Sequence, residues 1–374
     1  MNKQNNGKTI VFLAMALSQP RCIKRVASLK EYGFNCIVYG YDRGKYDVNS
    51  YPSDVTVVNL SQLKDNEYFG KGIKIFKDLL KVRRERRSTN TVFYAFGLFY
   101  AFYLRLLGER YIYEISDILY AYPKFKRILG ILKTIDKRII RDSVATVMTS
   151  GGFYSFFGLE LPKVFVIPNR VSPSLTRMPF KANKETNNKL AFGFVGSLRY
   201  QTILDFARVV GESFPQHEFH FWGGLKDGPM KTAVDGLVNQ FENVFYHGAF
   251  RSPEDLPEVY DTFDITVSCY QVSSLNERIA EPNKLYESMF FNKPIVVSDG
   301  IYLSDRVREM DCGYCIDASG KASIKRFVNS LNVEAVRDLS RRISLIDEKL
   351  IVSNQNDLNE YIKAFFNGVL TIER

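Results

Sequence analysis

The residue run with the clearest capacity for chemistry is Glu281-Pro282-Asn283-Lys284-Leu285-Tyr286-Glu287. Pro282 and Asn283 are typical of a helix start. On that helix, Lys284 and Glu287 lie three residues apart and therefore on one accessible face. A cation and a carboxylate near the N-terminus of a helix can bind diphosphate oxygens and sugar hydroxyls, respectively. The alternative is an ion pair between the two side chains on a solvated helix.

A second candidate site is the sequence Gly196-Ser197-Leu198-Arg199, which follows the apolar run 190–195. Ligands of open α/β sheets bind beyond the carboxyl ends of the strands, so this turn can contact a ligand. Its glycine permits close approach of the backbone, its amides can bind phosphate, and Arg199 can neutralise a diphosphate without a metal ion. An ordinary βα turn with a surface arginine would have the same sequence. Gly223-Gly224, after the next apolar run, also suit a close approach.

One acidic residue of the N-terminal half, Asp117, comes shortly after the apolar run 111–115. Its carboxylate can position or deprotonate an acceptor hydroxyl as a general base. Capping of a helix is an equally good explanation of an aspartate at this place.

The elements that must position these residues alternate between apolar runs and segments of helical periodicity. Strict alternation predicts a parallel, doubly wound sheet in each half of the chain. One helix start is explicit, with Ser252 as the predicted N-cap and Pro253 in the first turn. The predicted strands are 10–16, 36–39, 55–60, 91–94, 111–115, 145–148, 164–167, 190–195, 219–222, 244–247, 264–269, 294–298 and 313–317.

The predicted domain organisation follows from composition along the chain. The segment 173–189 is polar and rich in Lys, Asn and Ser, which predicts an interdomain linker. It separates an N-terminal domain over 1–172 from a C-terminal domain over 190–355. Residues 356–374 are predicted to form an amphipathic C-terminal helix that can cross back to the N-terminal domain.

The order of four segments carries a resemblance to a known family. The segments are Phe194-Val195-Gly196-Ser197, Asn243-Val244-Phe245-Tyr246-His247-Gly248, the run Ser252 to Tyr260, and Pro282 to Glu287 continuing into Lys293 to Ser298. They resemble the GT-B glycosyltransferases, particularly glycosyltransferase family 4 (glycosyl transferases group 1). The resemblance covers residues 190–317 and implies an α/β fold of two doubly wound Rossmann-like domains facing across a cleft.

The resemblance implies transfer of a sugar from a nucleoside diphosphate sugar to a hydroxyl acceptor, without a metal or another cofactor and leaning to retention. By analogy with the family, Glu287 holds the ribose, while the glycine turn and nearby cations hold the diphosphate. The predicted catalytic residues are Asp117, Arg199 and Lys284. The predicted donor-binding residues are Gly196, Ser197, Arg199, Gly223, Phe250, Glu281, Pro282, Asn283, Lys284 and Glu287.

The sequence departs from the family pattern at four places. The family often has a glycine-rich turn after its first strand, whereas this chain has Ser18-Gln19-Pro20-Arg21. The family commonly has a second glutamate eight positions before the one matched by Glu287, and here that position is Ile279, flanked by Glu277 and Glu281. The lysine usual after the glycine turn is absent, and Lys284 is the predicted substitute. The histidine usual in the N-terminal domain is absent as well, because no histidine precedes His217.

Charge is distributed unevenly along the chain. Residues 1–180 carry 29 Lys+Arg and 14 Asp+Glu, a net charge of +15, while the remainder of a chain with net charge +10 carries −5. We therefore expect a polyanionic partner to meet the N-terminal half. The segments Lys71 to Arg87 and Phe125 to Arg141 are predicted to be basic amphipathic helices, which can lie on an anionic membrane. Every surface helix over a sheet is also amphipathic, and it is the surplus of positive charge that favours membrane contact, with a nucleic acid as the less favoured partner. The aromatic run 92–107 is too short to span a bilayer.

Five scattered cysteines and an N-terminal apolar run too short for a signal peptide predict a cytoplasmic protein. The basic N-terminal half adds the expectation that it is peripheral on the inner face of the membrane. The expected partners are a nucleotide-sugar donor and a glycan or lipid-linked acceptor, such as a cell-surface glycan precursor. Two other functions fit the same sequence. One is a sugar-nucleotide epimerase of similar fold, and the other is a non-catalytic, basic, membrane-binding scaffold.

Overall fold

The computed structural model describes residues 7–42, 51–62, 68–179, 189–272 and 274–370. The chain divides into two compact units. The first comprises Met1–Pro168 with Asn354–Arg374, and the second comprises Asn169–Ser353. The first boundary lies ahead of the segment 173–189 that we predict as a linker, and residues 180–188 of that segment lie outside the described residues.

The described part of the first unit contains seven strands, all paired in parallel. They are β1 (Thr9–Ala14), β2 (Asn35–Asp42), β3 (Thr56–Gln62), β4 (Thr91–Phe96), β5 (Tyr111–Ile115), β6 (Ala145–Met148) and β7 (Val164–Val166). Their order across the sheet is β3-β2-β1-β4-β5-β6-β7, so the chain reverses its direction of winding between β1 and β4. The central strands β1 and β4 are buried along almost their whole length because helices cover a parallel sheet on both faces.

The helices of the first unit separate these strands. They are α1 (Pro20–Glu31), α2 (Tyr68–Arg86), α3 (Leu98–Leu106), α4 (Leu129–Asp142) and α5 (Gly151–Phe157), with a 3-10 helix at Pro123–Ile128 before α4. Pro20 opens α1, where its missing N–H costs no helical hydrogen bond. Helix α5 is capped at both ends. The Ser150 side chain accepts a hydrogen bond from the Gly152 amide, and Gly158 ends the helix at φ 57°.

The described part of the second unit contains six parallel strands. They are β8 (Ala191–Val195), β9 (Glu218–Trp222), β10 (Val244–Tyr246), β11 (Ile265–Ser268), β12 (Ile295–Ser298) and β13 (Gly313–Ile316). Their order is β10-β9-β8-β11-β12-β13. The direction of winding therefore reverses between β8 and β11, and ligands of open α/β sheets bind at the carboxyl ends of strands at such a reversal.

The helices of the second unit are α6 (Gln201–Ser213), α7 (Pro229–Gln240), α8 (Leu256–Asp261), α9 (Leu275–Ile279), α10 (Asn283–Phe290), α11 (Tyr302–Glu309), α12 (Lys321–Ser330), α13 (Val333–Ile343) and α14 (Glu348–Ile351). Two apolar clusters lie in this unit. One packs α6, α7 and α12 against the sheet, and the other packs α8, α10, α11 and α13. Every described strand predicted from the sequence is present, with ends that differ by at most three residues.

The helix predicted to start at Ser252 begins at Leu256 instead, so that prediction was wrong. Residues 252–255 form turns. The Asp255 carboxylate accepts hydrogen bonds from the Arg251 amide (2.7 Å) and guanidinium (2.9 Å), which closes a turn before the helix. The predicted apolar stripe of this helix is confirmed, because Leu256, Val259 and Tyr260 are buried.

A last helix, α15 (Asn356–Phe366), belongs to the first unit. Its residues Leu358 and Ile362 are fully buried in the same apolar cluster as Val26 and Leu29 of α1. The Asn359 amide donates a hydrogen bond to the Ser28 hydroxyl across 2.7 Å. Over the described residues, no helix is both long and apolar enough to cross a membrane.

Candidate functional site

Three glycine-containing turns meet at the carboxyl ends of β8, β9 and β10. Gly196 has φ +113°, in the region that favours glycine, and its amide donates to the Trp222 carbonyl at 2.7 Å. A β-carbon on Gly223 would lie 2.0 Å from the Gly196 carbonyl oxygen, so only glycine fits there. The Gly223 amide in turn donates to the Gly248 carbonyl at 2.7 Å. The backbone of the Gly196 turn is thereby fixed by its neighbours.

Lys284, in the first turn of α10, lies against the Gly196 turn. Its Nζ is 3.4 Å from the position that a β-carbon on Gly196 would occupy. The ammonium donates to the Tyr270 hydroxyl at 3.2 Å and lies 4.9 Å from the centroid of the Phe194 ring. These aromatic contacts hold a cation without neutralising it. Within the described residues Lys284 forms no ion pair, so the predicted alternative, an ion pair with Glu287, is not present.

Glu287, one turn later on α10, is 7% exposed. Its carboxylate accepts hydrogen bonds from the Tyr260 hydroxyl at 3.0 Å and from the Asn283 side-chain amide. Burial and the nearby Glu287 carboxylate raise the pKa of Tyr260 well above its ordinary value, so Tyr260 remains a hydrogen-bond donor. A carboxylate has about four acceptor positions, so Glu287 is held in place while it can still accept further hydroxyl donors.

The start of α10 is not capped by a side chain. Its N-cap is Pro282, in an extended conformation, and its first turn contains no acidic residue. A helix start of this kind leaves backbone N–H groups and the positive end of the helix dipole for an anion. The described structure therefore brings together Gly196, Pro282, Asn283, Lys284 and Glu287, at the strand reversal of the second sheet.

The remaining residues of the second unit that we predict as donor ligands have different surroundings. Ser197 and Arg199 are exposed, and Arg199 forms no ion pair with a described residue. Phe250 is half-buried against the apolar cluster of α8 and α10. Tyr200 lies in the segment after the glycine turn, where the lysine usual in the family is absent. Its ring packs on that of Tyr270, with 4.7 Å between the ring centroids.

Glu281 is 3% exposed and accepts hydrogen bonds from the Tyr286 hydroxyl and from Arg306 Nε at 3.3 Å. Burial raises the pKa of Glu281, although the bond from Tyr286 and the charge of Arg306 oppose the shift. These contacts tie the residue before α10 to α11. A direct contact between Glu281 and a donor stays a prediction, while its contribution to the position of α10 is visible in the structure.

Asp117 lies in the first unit, exposed in the segment that follows β5. The next helical turn begins at Pro123 with Tyr122 as its N-cap, so the alternative explanation of Asp117 as a helix cap was wrong. Three residues before Asp117, in β5, the buried Glu114 carboxylate accepts hydrogen bonds from Arg25 Nε at 2.9 Å and from the Tyr94 hydroxyl at 2.6 Å. This network fixes the carboxyl end of β5, from which the segment with Asp117 starts.

Sequence reasoning missed the residues that hold the site together. Tyr270 follows β11 at the strand reversal, so the rule that singled out Gly196 could have singled it out too. Tyr260 gave no such signal, because its hydroxyl reaches Glu287 only through the packing of α8 against α10. Over the described residues, no three histidine, cysteine, aspartate or glutamate side chains lie close enough together to hold a metal ion.

Comparison with known proteins shows which family and which solved structures the chain resembles. Residues 189–332 match the family model described as glycosyl transferases group 1. No curated protein matches. Among solved structures, the sucrose-phosphate synthase of Thermosynechococcus elongatus has a TM-score of 0.72 at 12% identity, with 97% of this chain and 99% of that one covered.

Two further solved structures are similar over nearly their whole length. HepE of Anabaena, in complex with UDP and glucose, has a TM-score of 0.68 at 14% identity, with 96% of this chain and 100% of that one covered. WaaG, a glycosyltransferase involved in lipopolysaccharide biosynthesis, has a TM-score of 0.68 at 13% identity, with the same coverage. At such identities the likeness establishes the fold alone, which is the GT-B fold.

The class is therefore a two-domain α/β protein of the GT-B fold. Within the second unit, residues 189–332 are similar to the glycosyl transferases group 1.

Proposed function

We propose that this glycosyltransferase takes its sugar from a nucleoside diphosphate sugar and transfers it to a hydroxyl of a lipid-linked or cell-surface glycan precursor. One observation carries the proposal. The Lys284 ammonium has no ion-pair partner among the described residues and lies beside the Gly196 turn, at the strand reversal of the second sheet. A fixed, uncompensated cation next to a glycine turn and an uncapped helix start is suited to a diphosphate.

In this proposal the diphosphate is the leaving group, and protein groups stabilise its charge in place of a metal ion. The bond between the anomeric carbon and the terminal phosphate oxygen breaks, and its electron pair passes to the diphosphate. Lys284, Arg199 and the amides of Gly196 and Ser197 stabilise that developing charge. Glu287 accepts hydrogen bonds from the ribose hydroxyls, a role that its two fixed donors, Tyr260 and Asn283, support.

The acceptor hydroxyl forms the new glycosidic bond, and its proton passes to a base, for which Asp117 is our candidate. The resemblance to family 4 favours retention of configuration. The WaaG likeness and the basic N-terminal half support an acceptor of the glycan-precursor class. We place the enzyme in the cytoplasm, at the inner face of the membrane, with no cofactor besides its substrate.

A thermal-shift panel of nucleoside diphosphates tests the donor site, with UDP first because the HepE structure contains UDP and glucose. We expect one base to raise the melting temperature and its sugar nucleotide to raise it as well. Lys284→Met should weaken that nucleotide by about tenfold or more, since a charge-assisted contact is lost. Lys325→Met, an exposed lysine of α12, is the matched control and should change nothing.

Glu287→Gln tests the ribose contact while keeping a polar group beside Tyr260. We expect a smaller nucleotide-induced shift with an unliganded melting temperature within a few degrees of the native protein. A panel in which no nucleoside diphosphate stabilises the protein would remove the basis of the proposal. Consumption of the donor without an acceptor, giving an isomeric sugar nucleotide, would instead identify an epimerase.

A further inference from the structure

Helices α2, α3 and α4 of the first unit pack side by side as one layer, which we call the α2–α4 layer. Phe76 of α2 contacts Tyr103 of α3 at 4.9 Å between ring centroids. Arg105 of α3 forms an ion pair of 2.6 Å with Asp142 of α4. These contacts make the three helices one continuous surface rather than three separate ones.

Large aliphatic side chains are exposed on this layer. Ile131 is 64% exposed and Ile128 is 43% exposed, and the two lie three residues apart at the start of α4. Ile73 of α2 and Leu106 at the end of α3 are 58% and 59% exposed. Near the other end of α4, Ile139 and Ile140 are fully buried. The start of α4 therefore presents apolar side chains to the surroundings.

The same three helices, with the 3-10 helix before α4, carry exposed cations that lack ion-pair partners among the described residues. Seven exposed basic side chains of the layer form no ion pair with a described residue: Lys77, Lys81, Arg84, Lys126, Arg127, Arg138 and Arg141. The same helices carry only four carboxylates, each of which accepts a hydrogen bond from a neighbouring side chain. Asp78 and Glu85 accept from Tyr41 and Tyr39, Asp136 accepts from Tyr120, and Asp142 pairs with Arg105. The surface is therefore strongly positive at its exposed atoms.

We propose that the α2–α4 layer binds an anionic lipid bilayer, with Ile128 and Ile131 inserted at the headgroup boundary and the seven cations among the lipid phosphates. Each cation near an anionic surface contributes about 1 kcal/mol of attraction. The exposed isoleucines decide between a bilayer and a nucleic acid, because a nucleic acid provides no acyl region into which an aliphatic side chain can insert. This inference rests on the proposed function in one respect, which is that the bilayer also carries the acceptor.

Vesicle flotation with the full chain tests the inference. We expect the protein to float with vesicles that contain phosphatidylglycerol, to bind pure phosphatidylcholine much more weakly, and to release as salt is raised. The double variant Ile128→Ser/Ile131→Ser should weaken binding by about tenfold or more. The matched control is Leu345→Ser/Leu350→Ser in the second unit, where Leu345 is 83% exposed, and it should bind as the native protein does.

Charge reversal supplies the second arm. Lys126→Glu/Arg127→Glu should weaken vesicle binding by about tenfold or more, whereas Lys325→Glu/Arg326→Glu in α12 should not. If the isoleucine variant binds vesicles as the native protein does, the inserted surface is refuted. If a single-stranded oligonucleotide binds more tightly than vesicles and only the charge variant weakens it, the partner is a nucleic acid instead.

The nucleotide panel keeps this inference separate from the proposed function. All four double variants should retain the thermal shift of the native protein with the stabilising nucleoside diphosphate, because none touches the second unit's site. Nucleotide binding without vesicle binding would overturn the membrane surface and leave the donor site standing. Vesicle binding without any nucleotide response would do the reverse.

Discussion

The Lys284 ammonium lies 3.4 Å from the point where Gly196 would carry a β-carbon. This relationship joins the end of β8 to the start of α10, two segments far apart in the chain. It also makes the glycine a sensitive place to test the site, because any side chain there would touch the cation.

Gly196→Ala should impair the site and destabilise the second unit. An alanine at φ +113° is strained, at a cost of about 1–3 kcal/mol, and its β-carbon meets the lysine. We expect a lower melting temperature and a smaller nucleotide-induced shift. Gly236→Ala, in the open interior of α7, is the control and should be neutral or stabilising by up to about 1 kcal/mol. Equal behaviour of the two variants would contradict the role of the Gly196 turn.

Gly223→Ala should be more damaging still, because its β-carbon would lie 2.0 Å from the backbone oxygen of Gly196. We expect a loss of about 3 kcal/mol or more in the free energy of unfolding. The adjacent Gly224→Ala places its β-carbon 3.4 Å from Ala249 and should stay within about 0.5 kcal/mol of the native protein. Denaturant unfolding can be followed by the fluorescence of Trp222, the sole tryptophan.

Tyr270→Phe removes the hydroxyl that accepts from Lys284 and keeps the aromatic ring beneath it. We expect the affinity for the stabilising nucleotide to fall by about threefold to tenfold, since one hydrogen bond to a charged group is lost. The melting temperature without nucleotide should change little. Tyr246→Phe on β10 serves as the control, and a loss of affinity shared by both variants would argue against a positioning role for Tyr270.

Asp136 should make the first unit less stable as the pH rises. Burial raises the pKa of this carboxyl to about 6, although the bond from Tyr120 opposes the shift. The folded chain therefore holds the proton more tightly than the unfolded chain does. The stabilisation is fully present below about pH 4 and is lost as the pH rises through about 6, a change of up to about 3 kcal/mol.

Asp136→Asn should remove that pH dependence, because the amide does not titrate. Amide hydrogen exchange in α4, measured from pH 4 to pH 7, compares the two proteins locally. A constant difference in protection across this range would show that Asp136 does not titrate there.

The apolar runs predicted the strands because burial on both faces of a parallel sheet demands such runs. The strand-end rule likewise predicted the Gly196 turn as a ligand site, and the residue types of a helix start predicted the start of α10. Local sequence could not show why Lys284 and Glu287 stay apart. Tyr270 holds one and Tyr260 holds the other, and both tyrosines reach α10 only through tertiary packing.

The start of α8 marks a different limit. Ser252-Pro253 has the residue types of a helix start, yet the side chain of Asp255 closes a turn with Arg251 before the helix begins. The residue types favour a helix start at Ser252, whereas the hydrogen bond from the Arg251 amide to the Asp255 carboxylate favours a turn, and the turn is the structure that forms.

Helix α15 is buried against α1, so the first unit is built from two separate stretches of the chain, Met1–Pro168 and Asn354–Arg374. The second unit, Asn169–Ser353, is inserted in the sequence between these two stretches of the first unit. A fragment spanning 169–353 has its own sheet and two apolar clusters, whereas a fragment that stops at residue 168 would leave the groove for Leu358 and Ile362 open to water. Producing the first unit by itself therefore requires residue 168 to be joined to residue 354, which is a rearrangement of the gene rather than a truncation.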